Sequence, residues 1–199
     1  MEISIDSINE VYGRYRLVNV RVEPRLEGLM AKYGQMSPIV VSPSAKEGKY
    51  DLIDGFKRLR AARKLGFSTL QARLLQAGGH ALKVAIIQLN WVEKTVGDFE
   101  EALVLHSLFH DDGLTQVEIS KLFNRHKSWV SRRISLVERL CEEVQEQMKL
   151  GLVTVSVGRE LAKLPRGNQQ QALATIQKYN FCSRETEVLV KDLLTTPKY

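Results

Sequence analysis

Short apolar runs separated by turn residues mark the first part of the chain. The run Met36-Ser-Pro-Ile-Val-Val-Ser-Pro43 is rich in β-branched residues and predicts a buried strand. The run Tyr50-Asp-Leu-Ile-Asp54 predicts a second strand, and residues 70–75 predict a third. The polar segment 43–49, which contains Gly48, is typical of a hairpin loop.

The pattern changes to helical spacing directly after Gly55. Apolar residues recur at three- and four-residue intervals over residues 56–65, and Gly66 is a suitable helix stop. From about residue 81 the helical pattern dominates. The predicted helices span 98–110, 115–123, 128–140, 142–150, 156–164, 168–179 and 183–194. We therefore expect an α+β chain with a mixed domain at 1–95 and an all-α domain at 96–199.

Residues 115–140 have the pattern of a helix-turn-helix. Thr115 and Glu118 have the spacing of a capping box, in which each side chain binds the other residue's amide. Ile119 and Leu122 are expected to face the core, with the small residue Ser120 where two helices approach closely. Asn124 lies at the turn, where its side chain tolerates the left-handed conformation.

In the second helix of this motif, Ser128 is the expected N-cap, and Val130 and Ile134 are the expected core residues. Its N-terminal end and outer face would then contact DNA, as in the recognition helix of such motifs. The candidate DNA-binding residues are Thr115, Gln116, Arg125, Lys127, Ser128, Trp129, Ser131, Arg132 and Arg133. The competing interpretation is a helical hairpin with a solvated basic face.

The charge distribution supports an anionic partner. The 199-residue chain has a formal net charge of +6, and residues 55–92 contain no Asp or Glu. A strand, the Gly55 turn and a helix carrying Lys57 and Arg58 suit a phosphate, because helix-start amides and cations both attract anions. The alternatives are a basic surface helix with no ligand and a helix that contacts DNA phosphate rather than a nucleotide.

These segments resemble the ParB family of plasmid and chromosome partition proteins. Residues 36–41 and 50–63 resemble its N-terminal domain, whose arginine box usually reads G-E-R-R-x-R-A-A. Residues 114–133 resemble its central helix-turn-helix. Residues 150–164 are similar to the helices that follow, so the resemblance runs in order over roughly residues 26–165. The box positions that match are Gly55, Arg58, Arg60, Ala61 and Ala62.

The resemblance implies CTP with Mg²⁺ as a cofactor that switches a clamp on DNA. Its implied cofactor-binding residues are Gly34, Pro38, Gly55, Lys57, Arg58, Ala61 and Asn90. A second phosphate motif of the family usually reads E-N-x-Q-R. Here only Asn90 matches, because Leu89 replaces the acid and Glu93 the arginine. This departure weakens the expectation of CTP, since Mg²⁺ prefers carboxylate oxygens and Glu93 would repel phosphate if it pointed inward.

Other features narrow the range of functions. The start of the chain lacks a signal-peptide pattern, no apolar run could span a bilayer, and Cys141 and Cys182 have no metal-ligand spacing. We therefore expect a cytoplasmic protein, associated with nucleoid or plasmid, with no membrane partner. His106 and His110 share a helix face and could hold a metal, but the sequence offers no obvious third ligand, so no metal site is predicted.

The sequence therefore predicts a sequence-specific DNA-binding protein of the ParB type, acting in plasmid or chromosome partition. The expected partners are double-stranded DNA, a second copy of the chain and, by resemblance, a partition ATPase. One alternative is a ParB-like transcription regulator without a nucleotide switch. The other is an enzyme, a CTPase or nuclease, that uses the basic site at 55–63. A metal nuclease is disfavoured because only Asp51 and Asp54 lie near that site.

Overall fold

The computed structural model describes residues 1–17, 23–91 and 96–195. Contacts between residues divide the chain into two compact units, Met1–Gly97 and Asp98–Tyr199. The first unit combines a sheet with helices, and the second consists of helices. The predicted α+β class is therefore confirmed. No helix among these residues is long and apolar enough to cross a membrane.

The first unit contains a mixed five-stranded sheet in the order β1-β5-β3-β4-β2. Its strands are β1 (Glu2–Ser4), β2 (Ile8–Asn9), β3 (Ile39–Pro43), β4 (Tyr50–Asp54) and β5 (Thr69–Leu74). The central strand β3 pairs antiparallel with β4 and parallel with β5. Residues 39–42 of this central strand are all buried, so both of its faces are covered, which explains the continuous rather than alternating apolar run.

The hairpin predicted between residues 36 and 54 is confirmed, although its first strand starts later than expected. Met36 is 77% exposed and precedes the sheet, so the predicted strand was too long at its start. The third predicted strand is present one residue earlier, as β5. Strands β1 and β2 contain three and two residues, too few to produce an alternating pattern in the sequence.

Two helices of the first unit cover the sheet. Helix α1 spans Glu23–Tyr33, and helix α2 spans Phe56–Lys64 and packs against α1. The core contains Ile39, Val41, Leu52 and Leu59, all fully buried, from the sheet and α2. A third helix, α3 (His80–Gln88), follows β5 and contacts β4. Helix α1 was not predicted, because only Met30 on it is buried and its apolar face is therefore narrow.

The second unit is a set of consecutive helices. They are α4 (Asp98–His110), α5 (Gln116–Leu122), α6 (Lys127–Arg139), α7 (Glu142–Lys149), α8 (Val155–Leu161), α9 (Arg166–Tyr179) and α10 (Ser183–Thr195). All seven predicted helices are present, with ends within three residues of the prediction. Among the described helices of this unit, α4 and α6 share the most extensive packing, and α5 also packs against α6. Phe99, Leu105, Leu108, Ile119 and Ile134 are buried in this unit.

Candidate functional site

The first unit has a polar pocket at the start of α2. Its volume is about 340 Å³, which lies within the roughly 300–1,000 Å³ typical of small-molecule sites. The lining residues are Arg16, Ser37, Pro38, Val40, Asp54, Gly55, Phe56, Lys57, Arg58, Arg73, Leu89 and Asn90. Strands β3, β4 and β5, the first turn of α2 and the end of α3 therefore contribute to one site.

Gly55 shapes the entry to α2. Its φ of 101° is in the left-handed region, and a Cβ atom at this position would lie 2.6 Å from Cγ2 of Ile39. Only glycine satisfies both constraints without strain. No side chain caps the start of α2, so its first N–H groups are available to an anion in the pocket.

Most cations of α2 are engaged in ion pairs within the first unit. Arg60 binds Glu23 with an Nη2–Oε1 distance of 2.6 Å, and Arg58 binds Asp54 with an Nη2–Oδ2 distance of 3.0 Å. Arg58 also donates to the carbonyl oxygen of Ser37 at 3.0 Å. Arg63 and Lys64 form further pairs with acids outside the helix, Glu10 and Glu27. Most of the basic side chains at 55–63 are therefore held in ion pairs that stabilise the fold of the first unit.

Two pocket cations remain without an acidic partner among the described residues, Lys57 and Arg73. Lys57 lies in the first turn of α2 and is half-buried, whereas Arg73 lies on β5 and is exposed. Asp54 is the only acid among the described lining residues, and Asn90 donates to its Oδ1 atom at 3.1 Å. The pocket therefore offers two cations and a free helix start to an anion.

The structure brings together five of the seven residues expected around a nucleotide, namely Pro38, Gly55, Lys57, Arg58 and Asn90. Gly34 lines a neighbouring pocket of about 170 Å³ whose wall shares Ser37 and Arg58. Ala61 is 4% exposed in the core and lines neither pocket. Among the lining cations, Arg16 and Arg73 are the two that sequence reasoning missed. They lie on segments other than α2, and only the fold brings them to the pocket.

The second unit contains the predicted helix-turn-helix, formed by α5 and α6. The Thr115 hydroxyl accepts from the Glu118 amide at 3.2 Å, and the Glu118 carboxylate accepts from the Thr115 amide at 2.8 Å. The predicted capping box is thus confirmed. The Thr115 hydroxyl also donates to the Glu118 carboxylate at 2.7 Å, and this hydrogen bond, followed by the one from the Thr115 amide, lowers the pKa of Glu118. Asn124 has the predicted left-handed conformation, with a φ of 49°. Ser120 is buried as predicted.

Two details of the motif differ from prediction. The N-cap of α6 is His126, which accepts from the Ser128 amide at 3.2 Å, so the expected cap at Ser128 is wrong. An imidazole nitrogen is not a common cap, which is why the sequence favoured serine. Leu122 is 37% exposed, whereas Phe123 is 5% exposed and takes the core position expected of Leu122.

The outer face of α6 presents its polar residues to solvent. Lys127, Ser128 and Arg132 are exposed, while Val130 and Ile134 are buried as predicted. Arg132 makes no ion pair with any residue that the structure describes. Exposed cations and hydroxyls near the N-terminal end of such a helix suit contacts with base edges and phosphates. Thr115, Gln116 and Ser131 lie on the same two helices.

Trp129 and Arg133 have structural contacts that the sequence did not reveal. The Trp129 ring packs 5.9 Å from the Phe123 ring, and the Arg133 guanidinium lies 5.6 Å from the Trp129 centroid. Arg133 also binds Asp98 at 2.6 Å and Glu101 at 2.8 Å, with only 17% of its side chain exposed. It therefore ties α6 to α4. Arg125 also lies near the Trp129 ring, at 5.9 Å.

A basic cleft of about 610 Å³ extends the α6 surface toward α8. Its lining residues are Ser131, Arg132, Arg133, Ser135, Leu136, Arg139, Arg159, Ala162 and Lys163. Sequence reasoning missed Arg139, the last residue of α6, and it also missed Arg159 and Lys163. Helix α8 begins 16 residues after α6 ends, so its proximity to α6 is a tertiary feature. Lys163 is paired with Glu160 and Arg159 with Asp98, which holds these cations in place.

His106 and His110 lie on one face of α4, as predicted. Their ring centroids are 4.3 Å apart, and His110 Nε2 lies 3.0 Å from Glu138 Oε1 on α6. Burial, followed by the charge of His110, lowers the pKa of His106, which favours the neutral imidazole. Cys141 and Cys182 are free thiols and do not belong to this cluster.

Both units of the chain match models of known protein families. The family model described as the ParB N-terminal domain matches residues 2–89, and the model described as the ParB HTH domain matches residues 95–195. The chain belongs to the ParB family. The predicted resemblance is thereby confirmed over both units.

Curated relatives of this ParB-family chain include a nucleoid occlusion protein from Oceanobacillus iheyensis, which is 29% identical over 87% of this chain and 60% of its own length. A probable chromosome-partitioning protein ParB from Pseudomonas putida is 26% identical over 82% of this chain and 56% of its own length. The chain thus spans less than two thirds of these relatives.

Solved structures of the Caulobacter crescentus ParB protein, truncated at its C-terminus, are also similar to this ParB-family chain. In the complex with the centromeric parS site, the protein chain is 24% identical to this chain, with a TM-score of 0.47. The match covers 96% of this chain and 99% of the Caulobacter chain. The complex with CTP-gamma-S is 24% identical, covers 86% of this chain and 97% of that one, and has a TM-score of 0.44.

Proposed function

We propose that this chain is a sequence-specific DNA-binding protein of the partition type. The observation that carries the proposal is the ParB-family helix-turn-helix, whose capping box, left-handed turn and buried core leave the polar face of α6 exposed. Lys127, Ser128 and Arg132 would approach base edges in the major groove. The basic cleft between α6 and α8 would hold the adjacent phosphates, with Arg139 and Lys163 as positioning contacts.

DNA binding is tested by selecting duplexes from a random pool with the purified chain, then measuring affinity by fluorescence anisotropy. We expect one enriched motif, bound at least about 1,000-fold more tightly than a scrambled duplex, as is typical of specific complexes. Enrichment of no motif, with equal affinity for all duplexes, would reduce the proposal to non-specific binding. No binding at low salt would overturn it.

We also propose that the chain acts as a dimer on a palindromic site, with a partition ATPase as a further partner. Helix α10 presents Val188, Leu193 and Leu194 to solvent beside its buried residues Thr186 and Val190, and this apolar surface suits a second copy. Analytical ultracentrifugation across a concentration series should show a dimer that Val188→Glu with Leu193→Glu weakens. A monomer at all concentrations, with or without DNA, would contradict the dimer.

For the first unit, we propose that the pocket at the start of α2 binds the triphosphate of a nucleotide, with CTP as the candidate that the family resemblance implies. Lys57 and Arg73 supply charge without a competing acidic partner among the described residues, and the uncapped helix start supplies N–H donors. By the family resemblance, Pro38 and the neighbouring pocket at Gly34, which shares Ser37 and Arg58 with the first, would receive the base.

Mg²⁺ does not fit this pocket well. The single described carboxylate, Asp54, is already held by Arg58 and Asn90 at 3.0 and 3.1 Å, and Leu89 occupies the position where the family motif has an acid. Mg²⁺ normally needs carboxylate oxygens in addition to phosphate oxygens. Glu93, which replaces the motif's arginine, lies outside the described residues. We therefore propose that cations of the chain, rather than a metal ion, neutralise most of the triphosphate charge.

Calorimetric titration tests the nucleotide proposal. CTP and ATP are titrated into the chain in EDTA and again in Mg²⁺, with Lys57→Ala as the pocket variant and Lys46→Ala, an exposed lysine outside the pocket, as its control. We expect the chain to bind CTP but not ATP, with an affinity that EDTA changes little. The CTP affinity should fall at least tenfold in Lys57→Ala and stay unchanged in Lys46→Ala. Absence of binding would favour the alternative that Leu89 suggests, a ParB-like regulator without a nucleotide switch.

A further inference from the structure

A second cluster of ligand-type side chains lies in the helical unit, where α4 packs against α6. His106 and His110 come from α4, one helical turn apart, and Glu138 comes from the last turn of α6. The potential ligand atoms of the three residues all lie within 4.8 Å of one another. His110 Nε2 and Glu138 Oε1 are separated by 3.0 Å.

This donor set has the chemistry of a zinc site. Two imidazole nitrogens and one carboxylate oxygen are a common set of three zinc ligands, with a fourth position left to water. Zinc–ligand bonds of about 2.0–2.1 Å place neighbouring ligands of a tetrahedral ion about 3.3 Å apart. The widest separation here is no more than 4.8 Å, so small rotamer adjustments would close the site. The imidazole of His110 and the carboxylate of Glu138 are each 44% exposed, which gives an ion access from solvent.

We propose that His106, His110 and Glu138 bind one zinc-type divalent ion, which cross-links α4 to the C-terminal end of α6. The ion would replace the hydrogen bond between His110 and Glu138 with two metal bonds and add a third from His106. Because α6 is the helix that presents Lys127 and Arg132, the cross-link would hold these two residues in a fixed position relative to α4. This site is separate from the nucleotide pocket and does not depend on DNA binding.

The first test is calorimetric titration of ZnCl₂ into the purified full chain, with MgCl₂ as the ion that prefers oxygen ligands. We expect one zinc per chain and no magnesium binding at this site. His106→Ala, His110→Ala and Glu138→Gln should each weaken zinc binding at least tenfold. His80→Gln, an exposed histidine of the first unit, is the matched control and should bind zinc like the unmodified chain.

The second test separates this site from binding by the two free thiols. Co²⁺, titrated as an optical probe for zinc, should give a tetrahedral spectrum without a sulfur-to-metal charge-transfer band, and Cys182→Ser should not change it. NMR spectra of the imidazole groups should show zinc-dependent shifts for His106 and His110, and none for His80 or His126. A thiolate band, or zinc affinity unchanged in His110→Ala, would overturn the proposal.

Thermal unfolding gives a third readout. A zinc concentration about 100-fold above the dissociation constant should raise the melting temperature of the helical unit by about 10 °C, because the ion binds only the folded form. The shift should disappear in Glu138→Gln, whose circular dichroism at room temperature should match that of the unmodified chain. No zinc binding at millimolar concentration would leave the trio as an ordinary hydrogen-bonded pair with a neighbouring histidine, and the proposal would fail.

Discussion

At the scale of single residues, Gly55 illustrates how a motif residue can serve the fold and the site together. Its left-handed backbone precedes the first turn of α2, which lines the pocket, and its missing Cβ admits Ile39 from β3. The family resemblance suggested a contact with phosphate at this position. The structure adds a packing constraint that would hold even without a ligand.

We expect Gly55→Ala to lower the free energy of unfolding by about 2–4 kcal/mol, because it combines a left-handed alanine with a steric overlap. Gly48→Ala is the matched control: its φ of 71° is also left-handed, but no atom lies within 4 Å of the added Cβ. That variant should lose only about 1 kcal/mol. Urea unfolding followed by circular dichroism measures both, and equal losses would show that the contact with Ile39 contributes nothing.

Arg132 and Arg133 are adjacent cations with different predicted roles. Arg133→Ala should lower the free energy of unfolding of the helical unit by about 1–3 kcal/mol, because it removes charged hydrogen bonds to Asp98 and Glu101. Arg132→Ala should leave stability within about 0.5 kcal/mol and should weaken DNA binding, with the slope of log K against log salt reduced by about 1. Thermal unfolding and anisotropy in a KCl series check the pair. The reverse pattern would contradict both roles.

At the scale of elements, the capping box of α5 sets where the helix-turn-helix begins. Thr115 and Glu118 satisfy two amides that the first turn of α5 would otherwise leave without intrahelical partners. Sequence spacing predicted this arrangement, because both partners lie within one turn. The cap of α6 was misjudged, because His126 and Ser128 both lie at the helix start and the choice depends on how the turn from Asn124 directs the chain.

Thr115→Ala should lower the free energy of unfolding of the helical unit by about 1 kcal/mol, since it removes the cap. Thr175→Ala is the matched control, because Thr175 lies in the middle of α9 and its hydroxyl binds the Gln171 carbonyl of the same helix. Its effect should remain within about 0.5 kcal/mol. Thermal unfolding of both variants measures the difference. A loss in Thr175→Ala as large as in Thr115→Ala would show that the capping box is not specifically stabilising.

At the scale of the whole molecule, the proposed DNA surface and the proposed nucleotide pocket belong to different units. Substitutions in one unit should therefore leave the other unit's intrinsic ligand affinity intact. We expect Lys57→Ala with Arg73→Ala to abolish CTP binding while DNA affinity measured without nucleotide changes less than twofold. Arg132→Ala should show the opposite pattern. Calorimetry and anisotropy on the same preparations measure both affinities, and loss of both ligands in either variant would indicate a general folding defect or a shared site.

The sequence by itself determined the features that depend on neighbours within a few residues. It predicted the β3–β4 hairpin, the turn at Gly55, all seven helices of the second unit, the capping box and the left-handed Asn124. These follow from periodicity and turn chemistry, which act locally. Family motifs, which are also local, indicated the relationship to ParB. Strands β1 and β2 were not predicted because they are too short to show an alternating pattern. Helix α1 was not predicted because its sequence is too polar.

Only the tertiary structure decided which charged residues remain available to a ligand. The basic helix at 55–63 loses Arg58 and Arg60 to ion pairs, while Arg73 joins the pocket from β5. In the helical unit, Arg133 becomes a tie to α4, and Glu138 reaches the two histidines of that helix. The physical reason is that the members of each ion pair or cluster lie on different helices or strands, which only the fold brings together. Electrostatic interactions depend on distance in space rather than on separation along the chain.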